Sequence, residues 1–301
     1  MGFKILLSLL FIIIAICLLI LYWFIPISTT EFISNYGSSN FSVGGYPSTQ
    51  FYQNMRFPTQ RISYKIDDCP LQKRDDMLRA FNIIAEKTIL SFYESQNNQE
   101  ITIVCDSKNK IEEGLFIAGE GGPTNITKTG EFNIILHGKI LLIKDSSCPN
   151  PNIAMHELLH VLGFDHSENP NDIMYPISKC NQEINPFTIN LIDTLYSIPN
   201  YPDLVFENIS AVMHGKYLDL NMSVRNNGFT ASPPSNIKIY ADDKLVKEVA
   251  LEPLKIGHGR IISLTNIWIT KISVNELKII IDSNFDELNK GNNQALLKIK
   301  K

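Results

Sequence analysis

The chain has 301 residues, of which 44% are hydrophobic and 19% charged, and its formal net charge is −4. This balance is typical of folded protein and excludes a largely disordered chain. Nucleic-acid binding is also disfavoured, because that affinity depends on clustered Lys and Arg and the sequence has no basic run. The length allows one large domain or two of moderate size.

The segment 5–25 is apolar apart from Ser8 and carries no charge. A helix of this length rises about 31 Å, close to the thickness of a bilayer core. We predict an uncleaved transmembrane helix here, because no small-residue cleavage pattern follows; a cleaved signal peptide and a secreted protein are the alternative. Lys4 precedes the segment and the next basic residue is Arg56, so the N-terminus is expected inside the cell and the rest outside.

The next elements along the chain are a linker and a strand–helix–strand unit. Residues 26–58 are rich in Ser, Asn and Gly, which predicts a linker. A polar–apolar alternation predicts a strand over 61–66, apolar residues at helical spacing predict a helix over 71–94, and a second strand is expected over 101–104. This order is typical of a parallel βαβ unit.

Four of the five cysteines lie outside the apolar N-terminal segment, which contains Cys17. An even set in an exported chain favours two disulfides, although three pairings are possible and four free thiols are an alternative. Cys69 and Cys105 end the two strands of the βαβ unit. Because parallel neighbours end side by side, we predict that these two cysteines are bonded.

Two further strands are expected over 132–136 and 139–144, on either side of a turn at His137. The glycine-rich residues 119–123 are interpreted as a turn or exposed rim. A helix is predicted to begin near Asn152, after a proline-rich break.

From residue 202 onward the pattern changes to short alternating strands separated by turns. About seven strands at this spacing predict an all-β sandwich of immunoglobulin type. The clearest of them cover residues 218–224, 237–239, 246–249, 261–269, 277–281 and 296–299.

The sequence from His156 reads HELLHVLGFDH, which is the pattern H-E-x-x-H-x-x-G-x-x-H. On a helix, His156 and His160 project from one face, so both imidazoles can reach one zinc ion. Gly163 can take the left-handed conformation that ends a helix, and the reversal can bring His166 back as a third ligand. A fourth position then remains for water, and Glu157 can act as the general base.

With Asp172-Ile173-Met174-Tyr175-Pro176 a few residues later, this motif resembles the metzincin zinc peptidases, and among them the matrixin-like (M10-type) catalytic domain. The resemblance covers residues 59–199 and includes the strand–helix–strand pattern and a closing helix over 186–197. It implies an α+β (α/β) domain with a twisted mixed β-sheet and long helices.

The resemblance also implies roles for individual residues. His156, His160 and His166 are expected to bind one catalytic zinc ion. Glu157 is expected to be the general base. Residues 173–176 are expected to form the Met-turn of this family, in which Met174 provides an apolar floor under the imidazoles.

Other parts of the site follow from the same resemblance. Tyr175 and Pro176 are expected to line the pocket for a substrate side chain. The segments around Cys148 and Cys180 must approach each other at the zinc site, so we expect a disulfide there that completes the pairing.

Some matrixin features are not expected here. No cysteine precedes Cys69 outside the N-terminal segment, so the cysteine that blocks the zinc in many pro-segments is not expected. Only His137 lies upstream of the catalytic helix, which is too few histidines for a structural zinc site. Calcium binding by Asp106, Asp145 or Glu120 is left open.

Residues 202–301 are similar to CARDB-type adhesion modules. The similarity rests on Asn226-Asn227-Gly228 after a strand and on the acidic loop 282–293. Such modules are non-catalytic sandwiches. The acidic loop is either a solvated turn or a calcium site.

These observations together predict a membrane-anchored zinc metalloendopeptidase whose catalytic domain is extracellular and hydrolyses peptide bonds of extracellular proteins. A protein or peptide substrate is expected to pair with an edge strand near residues 117–127. The alternative is a non-catalytic surface adhesion protein with a vestigial protease domain.

Overall fold

The computed structural model of the chain describes residues 2–24, 29–36, 49–106, 110–112, 115–145, 147–271 and 273–300. Helices and strands follow in chain order: α1 (Gly2–Phe24), β1 (Thr29–Tyr36), β2 (Met55–Arg56), β3 (Arg61–Asp67), α2 (Leu71–Lys87), β4 (Ser91–Glu94), β5 (Ile101–Cys105), β6 (Lys110–Glu112), β7 (Leu115–Ile117), β8 (Gly119–Thr129), β9 (Phe132–Leu142), α3 (Asn152–Val161), α4 (Pro186–Ser197), β10 (Leu204–His214), β11 (Tyr217–Asn226), β12 (Ser235–Ala241), β13 (Lys244–Leu251), β14 (Gly259–Trp268), β15 (Glu276–Asp282) and β16 (Gln294–Ile299).

The chain divides into two compact units. One unit contains the histidine motif and is called the catalytic unit after the predicted role of that motif; it comprises Phe41–Pro202 and Asn227–Thr230. The sandwich unit comprises Met1–Asn40, Asp203–Asn226 and Ala231–Lys301.

The sheet of the catalytic unit is mixed, as predicted. Four parallel pairings order its main path β2-β9-β5-β3-β4, and β8 pairs with β9 in the antiparallel direction. The predicted βαβ unit is present as β3, α2 and β5, with β3 and β5 parallel neighbours. Their ends are joined by the bond between Cys69 and Cys105, and a second bond joins Cys148 to Cys180, so both predicted pairs are bonded.

The helix predicted over 71–94 is shorter than expected. It ends at Lys87, and its last turn is closed by Thr88, whose hydroxyl donates to the Ile84 carbonyl at 2.8 Å. The following residues form β4, in which Phe92 pairs with Ile62 of β3. Aromatic residues such as Phe92 and Tyr93 favour a strand over another helical turn. Phe92 also falls at helical spacing from the residues of α2, and for that reason the helix was predicted to continue.

The turn predicted at His137 is wrong, because β9 runs without interruption from Phe132 to Leu142. Gly138 lies inside this strand for a packing reason. A Cβ atom there would approach Val161 Cγ1 of α3 to 2.4 Å. The glycine lets the catalytic helix lie close to the sheet, which is a use of glycine that resembles a turn signal in the sequence.

The turn or exposed rim predicted at 119–123 is the beginning of β8, which corresponds to the edge strand expected near 117–127. Gly119 and Gly121 face Glu157 of α3, since a Cβ at Gly121 would lie 2.3 Å from the Glu157 carbonyl oxygen. A Cβ at Gly119 would lie 2.8 Å from the Cγ and Oε1 atoms of Glu157. The strand can pass directly beside the catalytic helix only because these two positions have no side chain.

The sandwich unit consists of one antiparallel sheet of eight strands in the order β13-β12-β15-β16-β1-β10-β11-β14. The two end strands, β13 and β14, contact each other, so the sheet curls into a sandwich-like shape. Leu218, Leu220, Met222 and Val224 alternate as predicted and are buried in its core.

One strand that the sequence did not reveal is β1, which lies in the segment predicted to be a linker over 26–58. It pairs with β10 and β16, and Phe32 is only 6% exposed in the sandwich core. The linker prediction is also wrong at β2, which joins the catalytic sheet. Both strands lie among polar residues, so their periodicity is weak.

Helix α1 exposes its side chains from Ile5 to Leu21. Within the part of the chain that the structure describes, no helix has the length and hydropathy needed to cross a membrane, so the transmembrane helix predicted over 5–25 is not supported.

We predict that Gly121→Ala lowers the free energy of unfolding of the catalytic unit by about 1–3 kcal/mol, because the new methyl group meets the backbone of Glu157, which cannot move aside. Gly122→Ala is the matched control, since a Cβ there meets nothing within 4 Å. Denaturant unfolding of both variants measures the difference. Equal stability of the two variants would contradict the close packing of β8 on α3.

Candidate active site

Helix α3 brings the first two histidines together. His156 and His160 lie one turn apart and are each 6% exposed. Their Nε2 atoms are 3.0 Å apart. The helix is buried along almost its whole length, so packing against its neighbours sets its position. The positions of the two histidine rings are therefore fixed by the same packing.

The third histidine is brought back by a chain reversal at Gly163, where φ is +98°. Because a Cβ here would lie 2.7 Å from Met55 Cβ, both the conformation and the space require glycine. After the reversal, His166 Nε2 lies 3.2 Å from His160 Nε2. His166 itself is exposed.

The three histidines fit a zinc ion. Their ligand atoms all lie within 4.8 Å of one another. Zinc–nitrogen bonds of about 2.05 Å at tetrahedral angles require nitrogens about 3.3 Å apart, close to the separations of 3.0 and 3.2 Å. Among the described residues, this is the only convergence of three His, Cys, Asp or Glu side chains of this kind.

Hydrogen bonds fix which nitrogen faces the centre. His156 Nδ1 lies 2.7 Å from the Ile173 carbonyl and His160 Nδ1 lies 2.7 Å from the Phe164 carbonyl. A carbonyl can only accept, so Nδ1 carries the hydrogen in both rings and Nε2 is left with its lone pair. Burial lowers the pKa of His160 to about 4 and also lowers the pKa of His156. Both rings are therefore neutral at pH 7, which is the form that binds metal.

Glu157 follows His156 directly on α3 and is 5% exposed. Burial, and to a smaller extent the negative charge of Glu120, raises the pKa of Glu157 to about 8. A cation held by the histidines acts in the opposite direction, because it favours the carboxylate. The residue is thus a buried carboxyl group next to a candidate metal position, with a proton affinity adjustable around neutral pH.

The predicted Met-turn is held by Asp172. Its Oδ1 accepts the backbone N–H of Met174 at 3.0 Å, and its Oδ2 accepts from Asn185 at 3.3 Å. The Met174 carbonyl in turn accepts the N–H of Ser167, next to the third histidine, at 2.9 Å. Met174 is 2% exposed. Asp172 was missed as a functional residue, although an Asp two residues before the turn is a known signal for such a side-chain hydrogen bond.

A cavity of about 390 Å³ opens beside His166 and Met174. Neither Tyr175 nor Pro176 lines it; Tyr175 is half-buried and Pro176 is exposed. The role of these two residues in a substrate pocket stays a prediction.

Two of the calcium candidates lie near a buried ammonium group. Lys73 is 5% exposed, and its Nζ donates to the carbonyl oxygens of Asp106 and Ile143 at 2.8 Å each. The same Nζ is 3.9 Å from a carboxylate oxygen of Asp145. The positive charge in this region is therefore supplied by the protein itself. The calcium prediction gains no support from the described residues.

We predict that replacing both Cys148 and Cys180 by Ala lowers the free energy of unfolding by about 2–4 kcal/mol and weakens zinc binding about 10-fold. The bond ties the segment after the Met-turn to the start of α3, where Asn152 also donates to the Lys179 carbonyl at 2.6 Å. Chelator competition and denaturant unfolding measure the two effects.

The control is the Cys69–Cys105 pair, which closes a loop of similar length, with a sequence separation of 36 against 32. Replacing it is expected to lower stability by a similar amount and to leave zinc affinity unchanged. If both double variants weaken zinc binding equally, the local role of the Cys148–Cys180 bond is wrong.

Comparison with known proteins gives two family matches. Residues 56–197 match the family model described as Matrixin, and residues 201–296 match the model described as CARDB. A search of curated proteins found no match.

Two solved structures are similar to the C-terminal region. One is a crystal structure of a CARDB domain from Pyrococcus furiosus in complex with di-metal ions, with 19% identity and a TM-score of 0.28, covering 33% of this chain and 88% of that one. The other is a solution structure of a CARDB domain from the same organism, with 21% identity and a TM-score of 0.29, covering 33% and 94%. TM-scores this low carry no conclusion for this chain. The two family matches show that the chain combines a matrixin domain with a CARDB domain.

Proposed function

We propose that this protein is a zinc-dependent endopeptidase. The observation that carries the proposal is the meeting of three histidine side chains, two of them on the helix that also carries the buried Glu157. A zinc ion bound by His156, His160 and His166 supplies the Lewis acidity needed for attack of water on a peptide carbonyl. The matrixin match over residues 56–197 supports a peptidase-type domain.

Glu157 has the proton-transfer role in this proposal. It takes a proton from the attacking water as the new carbon–oxygen bond forms, and it passes that proton to the leaving nitrogen as the carbon–nitrogen bond breaks. Its burial keeps competing solvent away from the carboxyl group and holds it in one orientation.

The substrate is proposed to bind as an extended peptide along β8. In the described residues this strand pairs with no strand other than β9, and the peptide is proposed to pair with its other edge. Gly119 and Gly121 place the strand directly beside Glu157, which puts a peptide on that edge close to the proposed general base.

We also propose an exported location with the catalytic unit outside the cell. The two disulfides support an oxidising compartment. Attachment to a membrane through α1 is part of this proposal. Its apolar side chains are exposed, and a large exposed apolar surface is typical of a membrane or protein contact. Membrane fractionation with N-terminal sequencing tests it; a protein found only in the medium without this segment would favour the secreted form.

We predict that Glu157→Gln keeps one zinc ion per chain but lowers kcat on an unfolded protein substrate by about 10²–10⁴-fold, because the general base is lost while the ligands remain. Metal analysis and a cleavage assay measure the two quantities. Glu86→Gln removes an exposed carboxylate from α2 and serves as the control.

The same assay separates the proposal from its alternative. Full activity in Glu157→Gln would overturn the role of Glu157. A wild-type chain that binds zinc but cleaves neither unfolded proteins nor a peptide library would favour a non-catalytic adhesion protein with a vestigial protease domain.

A further inference from the structure

A short segment far from the motif in sequence lies against the zinc-ligand loop. We call residues 49–55 the strap. The Thr49 carbonyl accepts the N–H of Asp165 at 2.9 Å, and the N–H of Phe51 donates to the Gly163 carbonyl at 3.0 Å. These two bonds lie on either side of Phe164 and form an isolated β-bridge between it and Gln50. The reversal that carries His166 is therefore paired with the strap.

The strap is closed on itself by one buried side chain. Gln50 is 7% exposed, and its amide nitrogen donates to the Met55 carbonyl at 2.9 Å. Its amide oxygen accepts the N–H of Met55 at 3.0 Å. Met55 is fully buried and occupies the space beside Gly163. Closure of the strap thus fixes the residue against which the reversal packs.

Phe51 adds a direct contact with a metal-ligand ring. Its ring stacks on His160, with centroids 5.6 Å apart and planes inclined by 24°. The same imidazole donates from Nδ1 to the Phe164 carbonyl, which lies between the two strap hydrogen bonds. The strap therefore acts on His160 twice, once through the ring face and once through the carbonyl that orients the ring.

We propose that the strap is a positioning element of the zinc site and that Phe51 is its principal positioning residue. This inference rests on the proposed zinc site. Ligand rings that are already oriented lose less freedom when a metal binds, so outer contacts of this kind raise metal affinity. Phe51 is 39% exposed, and nothing in its packing requires it for the core of the domain.

The test compares Phe51→Ala with Tyr52→Ala in the full chain. Tyr52 is the adjacent aromatic residue and is 59% exposed, which makes it the matched control. Zinc affinity is measured by competition with a chelator, and ligand geometry by the visible absorption spectrum of the cobalt-substituted protein. We expect Phe51→Ala to weaken zinc binding about 10-fold and to change the cobalt spectrum. Tyr52→Ala should leave both unchanged, and Phe51→Tyr should restore wild-type values.

Each result bears on a different claim. Zinc affinity and a cobalt spectrum equal to wild type in Phe51→Ala would overturn the inference and leave the proposed function intact. A raised KM with unchanged zinc affinity would also overturn it, because Phe51 would then be a substrate contact. Failure of the wild type to bind zinc would overturn the proposed function itself. Phe51→Leu, which keeps the apolar bulk without the flat ring, replaces the alanine variant if that variant does not fold.

Discussion

The candidate metal site requires three histidine nitrogens to lie close to one point. Much of the packing in the catalytic unit holds the three rings in that arrangement. A helix alone can supply two of them, because only residues one turn apart share a face. The third requires the chain to turn back within a few residues of the helix end. That turn requires glycine at position 163. The backbone there is left-handed, and Met55 occupies the space that a side chain would need. A single glycine therefore joins the geometry of the ligands to the packing of the domain.

Glycines also determine how closely two strands pack against helix α3. Gly121 and Gly138 let two strands approach α3 more closely than any residue with a side chain would allow. Close approach brings strand β8 beside Glu157, so the proposed general base and the proposed peptide-binding edge are neighbours for a steric reason. Burial of Glu157, which raises its pKa, follows from the same close packing.

The motif could be predicted from the sequence because its information is local. The spacing of His156, His160 and His166 implies a helix followed by a reversal, and the strand–helix–strand pattern placed Cys69 beside Cys105 in advance. The failures share the opposite property. Strand β1 and the strap lie in largely polar sequence, and their structure depends on partners more than a hundred residues away. Local periodicity in the sequence contains no information about such distant partners.

Glycines caused a second kind of failure. Gly138 and the glycines of β8 resemble turn signals, but here they provide room for a helix. The distinction depends on what lies above the strand, which the strand's own sequence does not contain. Sequence reasoning therefore identified the residues proposed to perform the chemistry and missed several that hold them in place.

The three histidines of the candidate metal site are not held equally firmly by the surrounding structure. His156 and His160 are buried on a helix, and their rings are oriented by the Ile173 and Phe164 carbonyls, whereas His166 is exposed and lies on a loop. That loop is held by the strap through Asp165 and by the Met-turn through Ser167. Each of those anchors comes from a separate part of the chain, so the third ligand is in place only when the strap, helix and Met-turn have all assembled. Affinity for zinc is for this reason a measure of the tertiary structure of the whole catalytic unit, and the exposed ligand is the point at which loosening of any one anchor first affects the site.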